Sequence, residues 1–290
     1  MEHKYTRIII LKSKLIVFIG RLFNRILRLI NHAYHLARLR EIEKLTNDGY
    51  EVKVAQNLLE LQHKNFPYTV FIRPVSSDRL VLYQIWKDYE YQYLIKLIER
   101  NNYTDKITTI IDAGSNIGLT SLFFKHHYPF AKIISIEADN NNHKIQLKNV
   151  ECNKFNQEEI VALNRAIWIN NTDNLNISSS FRDGNHWAKS VEVGSQLERN
   201  VEAITLQEIV ALFGGNKIID ILKIDIEGSE NNLFANENFL TCLSNQIRFL
   251  SLEIHDEFNN RLNIQNILIQ NNFSIEDVGE TTFCVNKKLI

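Results

Sequence analysis

Two glycines and an acid that follow an apolar run are the first residues whose spacing is suited to chemistry. The run Ile107 to Ile111 is β-branched, which predicts a buried strand, and a helical pattern covers Leu119 to His127. Between them, Asp112, Gly114 and Gly118 mark the strand, loop and helix of a nucleotide-binding turn. Glycine at these positions permits unusual backbone angles and close packing. The sequence therefore predicts a loop that brings bare backbone against a ligand.

The spacing within this loop indicates which ligand it accepts. A dinucleotide fingerprint has a glycine where this chain has Asn116, so a pyrophosphate fits poorly. Asp112 would repel a phosphate but suits an ammonium or sulfonium group. Glu137 ends the next apolar run, 19 residues after Gly118, where a carboxylate can accept hydrogen bonds from both ribose hydroxyls. Adenosine with a cationic amino-acid tail describes S-adenosylmethionine, which we expect as the cofactor.

A second group of ionisable residues follows a later strand. Lys223, Asp225 and Glu227 alternate with apolar residues, so the three side chains share one face. A central strand of a parallel sheet is normally apolar on both faces, which makes three charges at its carboxyl end unusual. The following strand ends near Glu253 and His255, and ligands bind outside such strand ends. We therefore expect these five residues to meet at the reaction side of the site.

Three interpretations of this group remain open. In the first, His255 or a carboxylate takes a proton from an acceptor hydroxyl, as a general base does. In the second, Asp225, Glu227, Glu253 and His255 hold a divalent metal that lowers the pKa of that hydroxyl. The third is an ion-pair network without chemistry. We favour the metal-free base because Lys223 or backbone amides can neutralise the carboxylates.

Several motifs together resemble the FkbM family of S-adenosylmethionine-dependent methyltransferases. The resemblance covers about residues 67 to 290, and it rests on four segments: Asp112-Ala-Gly-Ser-Asn-Ile-Gly118, Ile136-Glu137, Lys223-Ile-Asp-Ile-Glu-Gly-Ser-Glu230, and Phe71-Ile-Arg-Pro-Val-Ser-Ser-Asp78 with Glu90-Tyr91. The first motif is shared with other methyltransferases, whereas the segment that begins at Lys223 is more specific. The last segment is similar to an approach segment found in many members.

The resemblance implies O-methylation of a hydroxyl on a sugar, a glycan or a small natural product. It implies that the methionine end of the cofactor lies against Asp112, Gly114, Asn116, Gly118 and Asp225. Glu137 would bind the ribose, and Ala166, which closes the third strand, would flank the adenine. The reaction side would contain Asp225, Glu227 and His255. Asp78 and Tyr91 would cover the mouth of the cofactor site.

Two other functions fit parts of the sequence. A non-catalytic scaffold that binds the cofactor at a membrane surface would keep the fold without turnover, but Asp225 and His255 favour an enzyme. A dinucleotide-dependent reductase is disfavoured by Asn116 and by the lack of a nearby Tyr-x-x-x-Lys pair. A nucleic-acid substrate is disfavoured because the catalytic region is acidic, whereas phosphate binding needs a basic surface.

The alternation of strand and helix signals from Ile107 onward predicts the fold class. We expect an α/β, Rossmann-like class I methyltransferase fold: a mostly parallel seven-stranded sheet with helices on both faces and a C-terminal antiparallel hairpin. The domains would be a basic helical region at 1–66, an approach segment or cap at 67–103 and the cofactor-binding domain at 104–290. Two helices separated near Asn47 to Gly49, and one helix from Asp78 to Ile98, are predicted before the sheet.

Charge divides the chain unevenly. Residues 1–40 contain nine Lys or Arg and one acid, whereas the remainder has 24 basic and 33 acidic residues. Within residues 8–30 the longest run without Lys or Arg, Leu15 to Gly20, is too short to span a bilayer. The basic positions instead recur at helical spacing, which predicts an amphipathic helix that contacts an anionic membrane surface or packs on a protein. Three cysteines without close spacing favour free thiols and a cytoplasmic location. The basic helix would add peripheral contact with the inner face of the membrane.

An insertion at residues 170–200 interrupts the alternation of strands and helices. Its two apolar stretches, around Leu175 to Phe181 and Lys189 to Val193, predict a hairpin. Arg182, His186 and Trp187 make this insertion a candidate lid on the acceptor side. A surface hairpin without a role is the alternative.

Overall fold

The computed structural model describes residues 2–173, 175–178, 190–193, 201–215, 217–255 and 260–290. The chain divides into two compact units, Met1–Val52 and Lys53–Ile290. The candidate lid residues Arg182, His186 and Trp187 lie outside the described residues.

One long helix makes up most of the first unit. Helix α1 (Glu2–Asn47) ends where the sequence predicts, because Asp48 and Gly49 turn back onto the last helical carbonyl groups and Gly49 has a φ of 91°. In the part of the chain that the structure describes, no helix is long and apolar enough to cross a membrane.

The prediction of a helix after Gly49 is wrong, because strands β1 (Tyr50–Ala55) and β2 (Leu58–His63) occupy this stretch. Leu59 and Leu61 are fully buried while their neighbours are more exposed, which is the two-residue period of a strand. The two strands form a three-stranded sheet with β3 (Phe66–Ile72), in the order β1-β2-β3. The spacing of the apolar residues therefore changes from a helical to a strand period at the glycine turn.

The approach segment forms two helices, where one was predicted. These are α2 (Asp78–Trp86) and α3 (Gln92–Arg100). Tyr89, between them, has a left-handed φ of 56° that no helix can continue through. The break releases Glu90 and Tyr91 from helical geometry, and both residues line the cleft described below.

The strands and helices that follow alternate as the sequence predicts. The strands are β4 (Thr109–Ala113), β5 (Lys132–Ile136), β6 (Ile160–Leu163), β7 (Arg165–Ile167), β8 (Leu175–Ser178), β9 (Ser190–Val193), β10 (Glu202–Ile204), β11 (Ile219–Ile224), β12 (Ile247–Glu253), β13 (Phe273–Val278) and β14 (Thr281–Asn286). The helices are α4 (Leu119–His127), α5 (Asn140–Cys152), α6 (Leu206–Ala211), α7 (Glu230–Phe234), α8 (Glu237–Gln246) and α9 (Arg261–Gln270).

The main sheet has seven strands among the described residues, in the order β13-β14-β12-β11-β4-β5-β6. Five of them are parallel, and β14 pairs antiparallel with both β12 and β13. This confirms the predicted α/β class and its C-terminal antiparallel hairpin. Two short pairs lie outside it: β7 with β10, and the hairpin of β8 with β9, which was predicted from the insertion.

The strand order reverses between β4 and β11, which places a ligand crevice at the carboxyl ends of these two neighbours. Every residue of both strands is buried, so their apolar side chains form the centre of the core. Lys223 lies opposite Asp112 in the parallel register. Two charged residues of the predicted site therefore lie side by side in the interior.

Asn149 on α5 joins three elements beside the glycine loop. Its side-chain oxygen accepts a hydrogen bond from the Phe71 amide at 2.6 Å, and its side-chain nitrogen donates to the carbonyl oxygens of Phe71 and Ile117. Asn149 is fully buried, so no water replaces these bonds if the side chain is removed.

Replacing this side chain should destabilise the protein. We expect Asn149→Ala to lower the free energy of unfolding by about 1 to 3 kcal/mol for each buried backbone group left without a partner. The matched control is Asn141→Ala, an exposed position on the same helix, which should change stability by no more than about 0.5 kcal/mol. Chemical denaturation measures both, and equal losses would contradict this role of Asn149.

Candidate active site

A cleft opens at the carboxyl ends of β4, β5, β11 and β12. With its open mouth included, it contains about 1140 Å³ of space. The lining includes the glycine loop, the strand ends beside it, β7, and the approach segment with Val81, Gln84, Ile85, Glu90 and Tyr91. The crevice at the switch point is therefore a real cavity that the approach segment helps to enclose.

The glycine loop lies against the end of β11. Gly114 has a φ of 78°, and a Cβ atom there would lie 1.7 Å from the carbonyl oxygen of Asp225. Gly118 has a φ of 86°, and a Cβ atom there would lie 3.2 Å from the Gln146 side chain. Both glycines are thus required by close packing, as predicted, but Gly118 packs on α5 and does not line the cleft.

Asn116 holds the tip of this loop in place. Its φ of 51° lies in the left-handed region, which asparagine tolerates better than most residues. Its backbone amide donates to Oε2 of Glu137 at 2.8 Å. Its side-chain Oδ1 is buried with no hydrogen-bond partner among the described residues. Because a buried acceptor without a partner is costly, this oxygen fits a donor supplied by a ligand.

Glu137 stands at the end of β5 and lines the cleft. Besides the Asn116 amide, its carboxylate accepts hydrogen bonds from the Asp139 amide at 2.8 Å and from the Asn142 side chain at 3.4 Å. Burial raises the pKa of Glu137 to about 7, although these hydrogen bonds oppose the shift. Two carboxylate oxygens offer about four acceptor positions, so the fixed group retains capacity for a ligand hydroxyl.

The side of the cleft near β7 is more apolar. Ala138, Ala166 and Ile167 line it, and the last two are buried. The salt bridge between Arg165 and Glu202 joins β7 to β10 at 3.1 Å. A flat apolar group such as a nucleobase fits against these side chains.

Lys223 connects the two halves of the site. Its Nζ donates to the Gly114 carbonyl oxygen at 2.6 Å and lies 3.6 Å from Asp112 Oδ1 and 3.4 Å from Asp225 Oδ2. Burial lowers the pKa of Lys223, but the surrounding carboxylates, Asp225 and Asp112 first, raise it well above its ordinary value. The ammonium group is therefore charged, and it neutralises acids on two adjacent strands.

Asp112 lies beneath the loop and does not line the cleft. It is fully buried, and its Oδ2 accepts a 2.6 Å hydrogen bond from Ser121. Burial raises the pKa of this carboxyl, and Lys223 opposes the shift. The structure therefore favours a supporting role for Asp112 over the ligand contact that the sequence predicts.

Carboxylates concentrate on the far side of the cleft. Glu90, Asp225, Glu227 and Glu253 all line it. Burial raises the pKa of Glu90 to about 7, and the charge of Asp225 adds to the shift. The pKa of Glu253 is raised first by the charge of Asp225 and then by burial. Groups of this kind suit proton transfer near neutral pH.

His255 is buried behind these carboxylates and does not line the cleft. Its Nδ1 lies 3.0 Å from Glu230 Oε1, and its Nε2 lies 3.3 Å from Glu227 Oε2. Burial lowers its pKa, but the hydrogen bonds to Glu227 and Glu230 raise it to about 11. A histidine that already carries a proton cannot accept another, so this geometry favours an orienting role for His255.

Six of the predicted site residues line the cleft: Gly114, Asn116, Glu137, Ala166, Asp225 and Glu227. Asp112, Gly118 and His255 lie directly behind it. Of the approach segment, Tyr91 lines the cleft as the resemblance implies. Asp78 does not, because both of its oxygens are bound by the buried Arg73 guanidinium at 2.9 Å and 2.6 Å. Glu90 is the lining residue that sequence patterns indicate least, since its place depends on the break between α2 and α3.

The fold and the cleft at its switch point define a Rossmann-like methyltransferase. Residues 112–278, more than half of the chain, match the family described as the methyltransferase FkbM domain. The chain belongs to this family.

Individual relatives match over shorter stretches or at low identity. Methyltransferase sdnD of Sordaria araneosa is 41% identical over 68 residues, which are 22% of this chain and 26% of sdnD. The FkbM methyltransferase of Methylobacillus flagellatus KT superposes with a TM-score of 0.40 at 15% identity, over 62% of this chain and 43% of that chain. A METTL16 methyltransferase domain gives a TM-score of 0.43 at 11% identity, over 81% of this chain and 85% of that domain. The match thus spans about a quarter of the length of sdnD and under half of the length of the Methylobacillus flagellatus protein.

The contact between Gly114 and β11 can be tested by adding a methyl group. Backbone strain alone should lower the free energy of unfolding by about 1 to 2 kcal/mol in both Gly114→Ala and the control Gly279→Ala, because alanine is strained at a positive φ. Gly279 has a φ of 62° and nothing within 4 Å of its added Cβ. The free energy of unfolding of Gly114→Ala should therefore fall by about 1 to 3 kcal/mol more than that of the control, because the added methyl group overlaps the Asp225 carbonyl. Equal unfolding free energies for the two variants would contradict this contact.

Proposed function

We propose that this protein is an S-adenosylmethionine-dependent O-methyltransferase whose acceptor is a hydroxyl on a sugar, a glycan or a small natural product. The observation that carries the cofactor assignment is the charge of the cleft. Among the described residues that line it, five are acids and two are basic, Arg165 and Lys223. Lys223 is already committed to Gly114 and two carboxylates. A cleft of this charge favours a cationic ligand over a phosphate.

The residues present fit S-adenosylmethionine at each part of the cleft. Glu137 would accept the ribose hydroxyls, and Ala166 would lie against the adenine. Gly114 and Asn116 would hold the amino-acid end, with the unpartnered Oδ1 of Asn116 available to its ammonium group. Asp225 would contribute to the same contact.

When bound, S-adenosylmethionine supplies an electrophilic methyl group on a positively charged sulfur. The protein's contribution is first to hold the acceptor oxygen in line with that methyl group, since orientation of this kind supplies most of the rate. The acceptor oxygen would gain a bond to the methyl carbon as the sulfur–methyl bond breaks, with S-adenosylhomocysteine as the leaving group, and it would lose its proton. We assign the proton to Glu90, whose carboxylate lines the cleft and whose pKa of about 7 suits a base at neutral pH. Asp225 and Glu227 shape the acceptor side, and His255 orients Glu227.

Membership of the family and the acidic cleft support the hydroxyl acceptor. An acid-lined cleft opposes the backbone of a nucleic acid, whose binding depends on phosphate neutralisation. The same charge disfavours a dinucleotide, because its pyrophosphate would meet Glu90, Asp225 and Glu253.

A divalent metal is the alternative for the reaction side. Asp225, Glu253 and His255 each offer one ligand atom, and these atoms lie within 4.8 Å of one another. A metal ligand must be deprotonated, whereas Glu227 and Glu230 stabilise the protonated imidazole of His255. We therefore keep the metal-free assignment as the proposal.

Calorimetry with S-adenosylmethionine and with NAD tests the cofactor. Wild-type protein should bind S-adenosylmethionine and not NAD, and Glu137→Gln should weaken binding about 10- to 100-fold through loss of a charged hydrogen-bond acceptor. Because Glu137 ionises near pH 7, affinity should rise as the pH increases from 6 to 8, and the variant should lose this dependence. The control is Asp105→Asn, an exposed acid outside the cleft. Binding of NAD without S-adenosylmethionine would contradict the assignment.

Methyl transfer can be followed as release of S-adenosylhomocysteine with a panel of glycosides, hydroxylated natural products and RNA. We expect turnover with a hydroxyl acceptor, none with RNA and no loss after treatment with a chelator. Glu90→Gln should lower kcat about 10²- to 10⁴-fold and remove the rise in rate through pH 7. Loss of activity on chelation, restored by Mg²⁺, would replace the metal-free assignment, and turnover with RNA alone would contradict the acceptor.

A further inference from the structure

Helix α1 exposes a large apolar surface that no described residue of the first unit covers. Between Leu22 and Leu39 the exposed apolar side chains include Phe23 at 63%, Leu29 at 61% and Ile30 at 58%. Six more are also exposed: Leu22, Ile26, Leu27, Tyr34, Leu36 and Leu39. Contiguous apolar surface of this size is rare on a soluble monomer and marks an interaction site.

Eight of the nine exposed apolar side chains occupy one half of the helix, and Leu39 lies in the other half. At about 100° per residue, one arc of the helical circumference contains Leu22, Phe23, Ile26, Leu27, Leu29, Ile30, Tyr34 and Leu36. The opposite arc contains Arg25, Arg28, Asn31, His32 and His35, all of them exposed. A helix with an apolar half and a basic half is the form that lies in the plane of a membrane interface.

The charge of this segment identifies the partner. From His3 to Arg40 the sequence has nine Lys or Arg and no acid. Anionic lipid headgroups complement such a surface, and each basic residue near them strengthens binding. A second copy of the same helix would bring like charges together, and the seam between paired helices is narrower than this apolar half.

We propose that residues 22–40 bind the surface of an anionic lipid bilayer, with Phe23, Leu27 and Ile30 inserted at the boundary between headgroups and acyl chains. Arg25 and Arg28 then face the headgroups. The helix attaches the methyltransferase to the membrane. This proposal does not depend on the methyltransferase assignment, because binding is measured without turnover.

Flotation of the full-length protein with lipid vesicles tests the proposal. Wild-type protein should float with phosphatidylcholine vesicles that contain phosphatidylserine and bind pure phosphatidylcholine about tenfold or more less well. The triple variant F23Q/L27Q/I30Q should lose about 100-fold or more of its partitioning. The double variant R25Q/R28Q should partition onto these vesicles about 25-fold less well, at about fivefold per charge. The matched control N31Q/H35Q, on the polar arc, should float like wild type.

Three outcomes would overturn the proposal. The first is wild-type protein that floats with neither vesicle, or equally with both. The second is wild-type flotation of the triple variant when circular dichroism shows unchanged helix content. The third is a dimer that the triple variant dissociates, seen by analytical ultracentrifugation without vesicle binding, which would identify a second copy as the partner.

Discussion

The organisation of the site depends on one buried ammonium group. Lys223 lies on β11 opposite Asp112 on β4, donates to the Gly114 carbonyl oxygen and pairs with Asp225. It therefore neutralises the carboxylates of two adjacent strands and binds the glycine loop to the strand beside it. Breaking a buried pair of this kind costs about 3 to 5 kcal/mol, because the remaining charge stays in the interior without compensation. The close approach of Gly114 to Asp225 depends on the same connection.

This arrangement also sets the character of the cleft. Lys223 pairs with Asp112 and Asp225, and the carboxylates of Glu90, Glu227 and Glu253 line the same cleft. Burial and the charge of Asp225 raise the pKa of Glu90, the charge of Asp225 and burial raise the pKa of Glu253, and a bound cation opposes both shifts. The acidic cleft thus links two properties that the proposed reaction requires: selection of a sulfonium ligand, and a carboxyl group that exchanges a proton near neutral pH.

Local patterns in the sequence predicted the parts of this structure that depend on local chemistry. Two glycines after a β-branched run identified the loop, and alternating strand and helix signals from Ile107 predicted the sheet that is found. The sequence could not show which side of the loop an acid would face. Asp112 points into the interior because Ser121 and Lys223 lie there, and both come from other elements. The place of Glu90 depends on a left-handed turn at Tyr89, and the protonation of His255 depends on Glu230, which is remote in sequence. Such features arise from tertiary contacts that periodicity does not report.

The central claim is that the cleft between Glu137 and Asp225 binds a cofactor built on adenosine and a sulfur-containing amino acid. A crystal structure of the protein with S-adenosylhomocysteine tests it most directly. We expect the ribose hydroxyls on Glu137, the adenine against Ala166 and the sulfur facing the carboxylates of Asp225 and Glu90. Electron density for the ligand outside this cleft, or a ribose that does not contact Glu137, would contradict the account.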